Sequence, residues 1–260
     1  MNLDLTGNSV LITGGSKGIG LATARAFAAE GCVLHLAART ADDLMVAQEV
    51  ITNDFDVPVT IHPIDLSQGT NVKQLAKTCA EVDILVNSAG AVPGGSIEAI
   101  DEEQWRSAWD LKPFGYINMM REYYTAMKTR GRGVIINIIG NAGNLTPADI
   151  VAGVTADTML EVLTRTLGGV SLDHGIRVVG VSPGDIMNER GIIFLRQQAE
   201  KEFGDPERWR ERLAELPGGR GGTSEEIADA VVFLASSRAG YISGAVLTID
   251  GGLSARRAVM

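Results

Sequence analysis

Thr13-Gly14-Gly15-Ser16-Lys17-Gly18-Ile19-Gly20 follows an apolar run and opens a helical pattern, and no other segment of this chain combines residue types so suited to one piece of chemistry. A strand-to-helix turn of this kind can hold a dinucleotide pyrophosphate. One glycine permits the tight turn, a later one lets backbone approach phosphate oxygens, and the helix N-terminus supplies free N–H groups and partial positive charge. Gly14, Gly18 and Gly20 stand where those roles fall, with Ser16, Lys17 and Ile19 between them. A glycine-rich turn taken alone reverses a chain about as often as it cradles phosphate, so the neighbouring elements decide. The end of the second strand bears on which nucleotide. NAD binders place a carboxylate there for the ribose hydroxyls, whereas this chain reads Ala37-Ala38-Arg39-Thr40. No acid stands there to repel a 2′-phosphate, Arg39 offers a fork suited to one, and Lys17 adds a second cation. NADP(H) is therefore expected in preference to NAD(H), the plain alternative being two solvated surface cations. His35, His62 and His174 fall on two strands and a helix end without ligand spacing, and no metal is expected.

The elements that must position these residues alternate regularly. Ser9 to Thr13 reads as a strand, Leu21 to Glu30 as a helix, Cys32 to Ala37 as a strand, Ala41 to Ile51 as a helix, Val59 to Ile64 as a strand, Asn71 to Cys79 as a helix and Asp83 to Asn87 as a strand. A βα repeat demands parallel strands, and the unbroken apolar runs Ile84-Leu85-Val86 and Val134-Ile135-Ile136 suit strands buried on both faces. The remaining pattern is a long helix from Asp101 to about Lys128, a strand over 134–138, a second long helix from about Val154 to Leu172, and a strand over 177–181. A helix capped by Ser224 follows, and a last strand runs over 245–249. The expected fold is α/β: one doubly wound, Rossmann-like parallel sheet with helices on both faces, in a single domain over 1–260. The stretch 185–217, charged and helical between a strand and the next helix, reads as a substrate lid. Its Ile192, Phe194, Phe203 and Trp209 suit an apolar pocket or ordinary helix packing equally well.

The 260 residues are 45% hydrophobic and 21% charged with 31 glycines, which suits a folded α/β protein and excludes disorder or a disulfide scaffold. A formal net charge of −9 argues against nucleic acid or anionic membrane as partner, both of which need a basic surface. Two cysteines, Cys32 and Cys79, and no run near the roughly 18 to 20 apolar residues of a membrane span lead to the expectation of a cytoplasmic protein.

Read in order, the glycine loop, Asp65-Leu66 after the third strand, Asn87-Ser88-Ala89-Gly90 after the fourth, Pro183-Gly184 after the sixth and Asp250-Gly251-Gly252 near the end resemble the short-chain dehydrogenase/reductase family over nearly the whole chain. The family's glycine spacing of three residues and then one is met by Gly14, Gly18 and Gly20. The resemblance implies that Asp65 and Leu66 lie by the adenine, that Asn87, Ala89 and Gly90 line the cofactor groove, and that Pro183, Gly184 and Asn188 lie along the nicotinamide. Asp65 capping the next helix is compatible with that role.

The same resemblance places the family's catalytic tyrosine at Gly153, its lysine at Asp157, its serine at Gly140 and its asparagine at Lys112, so all four side chains differ. Pro113 would bend the long helix where the family's helix bends, since it removes an N–H that Trp109 would otherwise accept. Asp157 and Lys112 have exchanged sign relative to the family, which suits either a partly buried ion pair or two groups facing solvent or another subunit. Tyr116, one helical turn beyond Lys112, suits packing better than catalysis. Asp185, beside Pro183-Gly184, is a candidate base or a turn cap. The expectation is an NADP(H)-dependent oxidoreductase of a small carbonyl or alcohol, with Lys112, Asp157 or Asp185 replacing the usual proton donor. The alternatives are an NADP(H)-binding protein without turnover, acting as sensor or assembly partner, and a non-redox lyase or isomerase. The resemblance also implies a homodimer or homotetramer built on the two long helices.

Overall fold

The computed structural model describes residues 2–90 and 92–256. The first half of the chain alternates strictly: β1 Ser9–Thr13, α1 Gly18–Ala29, β2 Val33–Ala38, α2 Ala41–Asp54, β3 Val59–Pro63, α3 Gly69–Thr78 and β4 Ile84–Asn87. The second half continues with α4 Glu102–Leu111, α5 Pro113–Arg130, β5 Gly133–Ile138, the short α6 Ala142–Leu145, α7 Val151–Ser171, β6 Ile176–Pro183, α8 Glu189–Phe203, α9 Ser224–Ala235 and β7 Val246–Ile249. All pairings are parallel, in the order β3-β2-β1-β4-β5-β6-β7. The winding reverses between β1 and β4. That reversal opens a crevice beyond the C-terminal ends of these two strands, which is where open α/β sheets bind ligands.

Both faces of the sheet are covered, as the unbroken apolar strands require. Alternate residues feed two cores: Val10, Ile12, Leu34 and Leu36 pack with Phe27 of α1, Leu44 of α2 and Val231 of α9. Leu11, Leu85, Ile135 and Val178 pack on the other face with Leu75 of α3, Met119 and Tyr123 of α5, and Leu160 of α7. Arg177 of β6 is buried and donates to the carbonyls of Leu234, Ala235 and Ser236, so it satisfies acceptors left over at the C-terminus of α9.

Three expectations from the residue pattern need correction. The stretch from Asp101 to Lys128 is two helices: Lys112 ends α4 and precedes α5, with Pro113 as the first residue of the new helix. Proline has no N–H to lose at a first helical position and its fixed φ suits one, so the hydrogen-bond ladder is interrupted there while Lys112 keeps αR dihedrals. The cap of α9 is Thr223, whose hydroxyl accepts from Glu226 N while the Glu226 carboxylate accepts from Thr223 N; Ser224 is the first helical residue. Helix α7 also begins at Val151, which brings Gly153 into its first turn. The segment 185–217 carries α8 and a 3₁₀ stretch, Pro206–Glu215, around a small core of Leu195, Ala199 and Trp209. Phe203 packs against that core and under the Arg208 guanidinium, so Phe203 and Trp209 hold the segment together internally. Among the described residues no helix is long and apolar enough to cross a membrane.

Candidate functional site

At the crevice the glycine loop is shaped by contacts that a side chain would abolish. Gly14 has φ 68°, and a Cβ on it would meet Ala89 Cα at 2.9 Å. A Cβ on Gly20 would come within 2.1 Å of Gly14 O. The loop is tied to both flanking strands: Gly14 N donates to Ala37 O at 2.7 Å, and Thr13 Oγ1 accepts from Ser88 N at 3.0 Å and Ala89 N at 3.1 Å. Lys17 precedes α1 without a side-chain cap, so the first N–H groups of that helix stay available to an anion. Asn188 lies beside the loop. Its Nδ2 would be 3.3 Å from a Cβ on Gly18, and its Oδ1 accepts from Gly191 N to cap α8.

Other expected nucleotide positions fall around this cradle with differences of role. Arg39 is exposed and has no carboxylate partner among the described residues, whereas Lys17 Nζ pairs with Asp43 Oδ2 at 3.0 Å. The second cation is therefore partly neutralised by the first turn of α2. Asp65 makes the turn before α3, its Oδ1 accepting from Ser67 N, and Leu66 is buried beneath it. Ala89 and Gly90 border the crevice, but Asn87 lies wholly buried behind it, donating through Nδ2 to Asn137 Oδ1 at 2.9 Å. A last strand residue whose side chain turns toward the neighbouring strand is shielded by the sheet, so Asn87 supports the groove from below instead of lining it. The Pro183-Gly184 turn is packed on Asp250, which a Cβ on Gly184 would touch at 2.6 Å.

Three elements converge at the positions to which the resemblance assigns the catalytic side chains. Lys112, in the break between α4 and α5, places Nζ 2.6 Å from Asp157 Oδ1 of α7 and 2.5 Å from Ile139 O beyond β5. Both side chains are nearly out of solvent, at 13% and 6% exposed. The alternative that they face water or another subunit is thereby removed. Burial holds the Asp157 carboxyl above the ordinary carboxylate range, with Lys112 the main influence pulling it back. Gly140 has φ 135°, and a Cβ there would stand 2.6 Å from Asp157 Oδ2. Gly153, one turn before Asp157, faces open space: a Cβ would have no neighbour within 4 Å. Tyr116 is buried, its hydroxyl donating to Ile138 O at 2.9 Å, and burial raises its pKa far above the usual phenol value. It is a packing residue.

Asp185 is set apart from that pair. It borders a cavity of about 420 Å³ with Leu216, Arg220, Ile249 and Asp250, burial raises its pKa, and Arg212 partly offsets the rise. The sequence offers Arg190, with Arg196, as a cationic rim to the lid's pocket; in the structure its Nη1 donates to Gly90 O at 2.5 Å, fastening α8 to the crevice. The available signal was its position: a cation in the first turn of a helix opposes the helix dipole, so another partner must hold it. The strand histidines also meet, against the expectation of scatter. His35 Nδ1 and His62 Nε2 are 3.1 Å apart with Cys79 Sγ close to both, because β2 and β3 are neighbours and Cys79 follows α3.

Comparison with known proteins places these features in a family. A family model described as enoyl-(acyl carrier protein) reductase matches residues 14–254. The galactitol 2-dehydrogenase (L-tagatose-forming) of Cereibacter sphaeroides is 32% identical over 250 residues, covering 95% of each chain. The crystal structure of L-sorbose reductase from Gluconobacter frateurii, complexed with NADPH and L-sorbose, superposes with a TM-score of 0.90 at 29% identity, covering 97% of this chain and 98% of that one. A solved short chain dehydrogenase/reductase family protein reaches 0.85 at 33% identity, covering 98% of this chain and all of the other. With likeness spanning the sheet, the glycine loop and the segment after β6, the chain belongs to the short-chain dehydrogenase/reductase family.

Proposed function

We propose that the chain is an NADP(H)-dependent oxidoreductase acting on a small carbonyl or alcohol, with a proton donor other than the family's tyrosine. The observation that carries this reading is the cradle at the switch point, where Gly14 and Gly20 leave no room for a Cβ and the N-terminus of α1 is uncapped. Those features suit a pyrophosphate closely approached by backbone. Gly14, Ser16, Lys17, Gly18, Ile19 and Gly20 would hold it, Arg39 the 2′-phosphate, Asp65 and Leu66 the adenine, and Ala89, Gly90, Pro183, Gly184 and Asn188 the nicotinamide half. The nicotinamide, when bound, supplies or accepts hydride. The similar L-sorbose reductase is complexed with NADPH and L-sorbose, which supports the reading by likeness.

The chain's own contribution is positioning and proton supply. Lys112 gives two of its three ammonium protons to Ile139 O and Asp157 Oδ1, which leaves the third for a substrate oxygen or a bridging water in the space beside Gly153. Asp157 holds that ammonium in place. Asp185 is the second candidate donor, protonated more readily than an ordinary aspartic acid because of its burial. The insertion 185–217, fastened by Arg190 to Gly90, covers the crevice as a lid. A nucleotide-binding protein without turnover is the second reading, favoured by the empty environment of Gly153 and the closed Lys112–Asp157 pair; loss of a general acid typically lowers rate by about 10²- to 10⁴-fold. Oxidation of NADPH followed by absorbance against a panel of small ketones and aldehydes tests the first reading. Tight NADPH binding with no turnover on any of them would establish the second in its place. We further propose a homodimer or homotetramer through α5 and α7, supported by the exposed apolar side chains of Phe114, Val162 and Val170, and a reducing cytoplasmic setting for the two free cysteines.

A further inference from the structure

Away from the crevice, on the α3 side of the sheet, three side chains point their ligating atoms at one another. His35 is near the middle of β2, His62 is diagonally placed on the neighbouring edge strand β3, and Cys79 ends α3 directly above them. His35 Nδ1 to His62 Nε2 is 3.1 Å, Cys79 Sγ to His62 Nε2 is 3.4 Å, and Cys79 Sγ to His35 Nδ1 is 3.7 Å. The imidazoles are half-buried and the cysteine is buried. A backbone contact steadies the third corner: Tyr123 Oη, itself buried, donates to Cys79 O at 3.2 Å.

Hydrogen bonding accounts for only part of this triangle. Each neutral imidazole carries one N–H and the thiol one S–H. A ring nitrogen that donates has no lone pair left to accept, so at most two of the three contacts can be full hydrogen bonds. A single cation would satisfy all three at once. Around zinc, with Zn–N of about 2.0–2.1 Å and Zn–S of about 2.3 Å, tetrahedral angles put two nitrogens about 3.3 Å apart and nitrogen and sulfur about 3.6 Å apart. The observed edges of 3.1, 3.4 and 3.7 Å scatter about those values.

We propose that His35, His62 and Cys79 form a binding site for one zinc-type divalent cation, with water in the fourth position. As the Zn–S bond forms, the thiol proton passes to the buffer and the two nitrogens donate their lone pairs; no electron is transferred. Two imidazoles and a thiolate select a borderline-soft ion over magnesium or calcium. The bound ion would clip the sheet edge β3 to β2 and to the end of α3, stabilising the elements that lead into Arg39 and Asp65.

The test uses the full chain freed of metal by chelation and desalted. Addition of Zn²⁺ is expected to raise the melting temperature and to saturate at one ion per chain, while Co²⁺ gives a thiolate-to-cobalt charge-transfer band in the near ultraviolet. Cys79→Ser should abolish the band, His35→Asn and His62→Asn should each weaken binding at least about tenfold, and His174→Ala should change nothing. The asparagine variants replace half-buried side chains, so they keep the test open if the serine variant folds poorly by circular dichroism. Absence of a zinc-dependent shift in the parent, cobalt binding without a thiolate band, or a band that survives Cys79→Ser would each overturn the site.

Discussion

Deleting one partner of the Lys112–Asp157 pair is predicted to cost far more than deleting both. The pair is almost out of water, with side chains 13% and 6% exposed and 2.6 Å between Nζ and Oδ1. Surface pairs contribute about 0–1 kcal/mol, but removing one member of a buried pair leaves an uncompensated charge and typically costs about 3–5 kcal/mol. Asp157→Ala strands the ammonium on Ile139 O alone, and Lys112→Ala strands a carboxylate that burial already disfavours. For a chain of this size each kcal/mol moves the melting temperature by about 2–4 °C, so either single variant should melt roughly 6–20 °C below the parent. The paired replacement Lys112→Met with Asp157→Asn removes both charges and keeps an acceptor for the Ala142 N–H that now bonds Asp157. Its stability should return to within about 2 kcal/mol of the parent, since apolar replacement of a buried pair is often neutral. Urea unfolding of the parent, the single variants Lys112→Met and Asp157→Asn, and their double completes the cycle. Singles that cost less than about 1 kcal/mol, or a double whose loss equals the sum of the singles, would show that the two charges do not depend on each other.

Arg39→Ala should weaken NADPH binding by about 1.5–3 kcal/mol while leaving NADH unchanged, and Lys17→Ala should weaken it less because Asp43 already engages that cation; calorimetry with both nucleotides checks this. Gly14→Ala should abolish nucleotide binding, since its Cβ would stand 2.9 Å from Ala89 backbone at φ 68°, whereas Gly153→Ala should stabilise by up to about 1 kcal/mol because nothing lies within 4 Å and alanine favours helix. Asp185 ionises less readily in the folded chain than in the unfolded one, so its contribution to stability is full below the ordinary carboxylate range and is lost as pH rises through the raised value. Asp185→Asn should therefore be more stable than the parent at neutral pH and equal to it in acid, as denaturant midpoints at the two pH values will show. Arg177→Met should cost about 3 kcal/mol or more, read by thermal melting, because three carbonyls at the end of α9 lose a charged donor.

The strands were legible because apolar runs bounded by glycine leave few alternatives, and their observed limits mostly fall within a residue or two of the pattern. Helix limits near Lys112 and Thr223 were less so. There a proline and a capping box act through backbone hydrogen bonds that hydrophobic periodicity does not register. The cradle could be read from glycine spacing, since each glycine answers a local steric demand. What the side chains do with one another could not: the Lys112–Asp157 contact joins residues from two helices, the Lys17–Asp43 pair depends on how α2 returns along β2, and the His35–His62 contact needs the register of two strands. Asn87 shows the same limit at a single residue, for its motif is visible in sequence while the direction of its side chain is set by β5.

The crowding around Asp157 limits which substitutions this site can accept one at a time. A serine at 140 would be strained at φ 135° whatever its neighbours, and its Cβ would also stand 2.6 Å from Asp157 Oδ2 while the aspartate remains. A lysine at 157 would set two ammonium groups face to face while Lys112 remains. A tyrosine at 153 would fit the open space at once, but the ammonium of Lys112 is already engaged by Asp157 and Ile139 O. Single steps back toward the family's arrangement are thus unfavourable or idle, and the order of change is constrained: 112 before 157, and 157 before 140. Reaching the arrangement that the resemblance implies by single substitutions would pass through a destabilised intermediate. The corresponding engineering route is to install Lys112→Asn, Gly140→Ser, Gly153→Tyr and Asp157→Lys together.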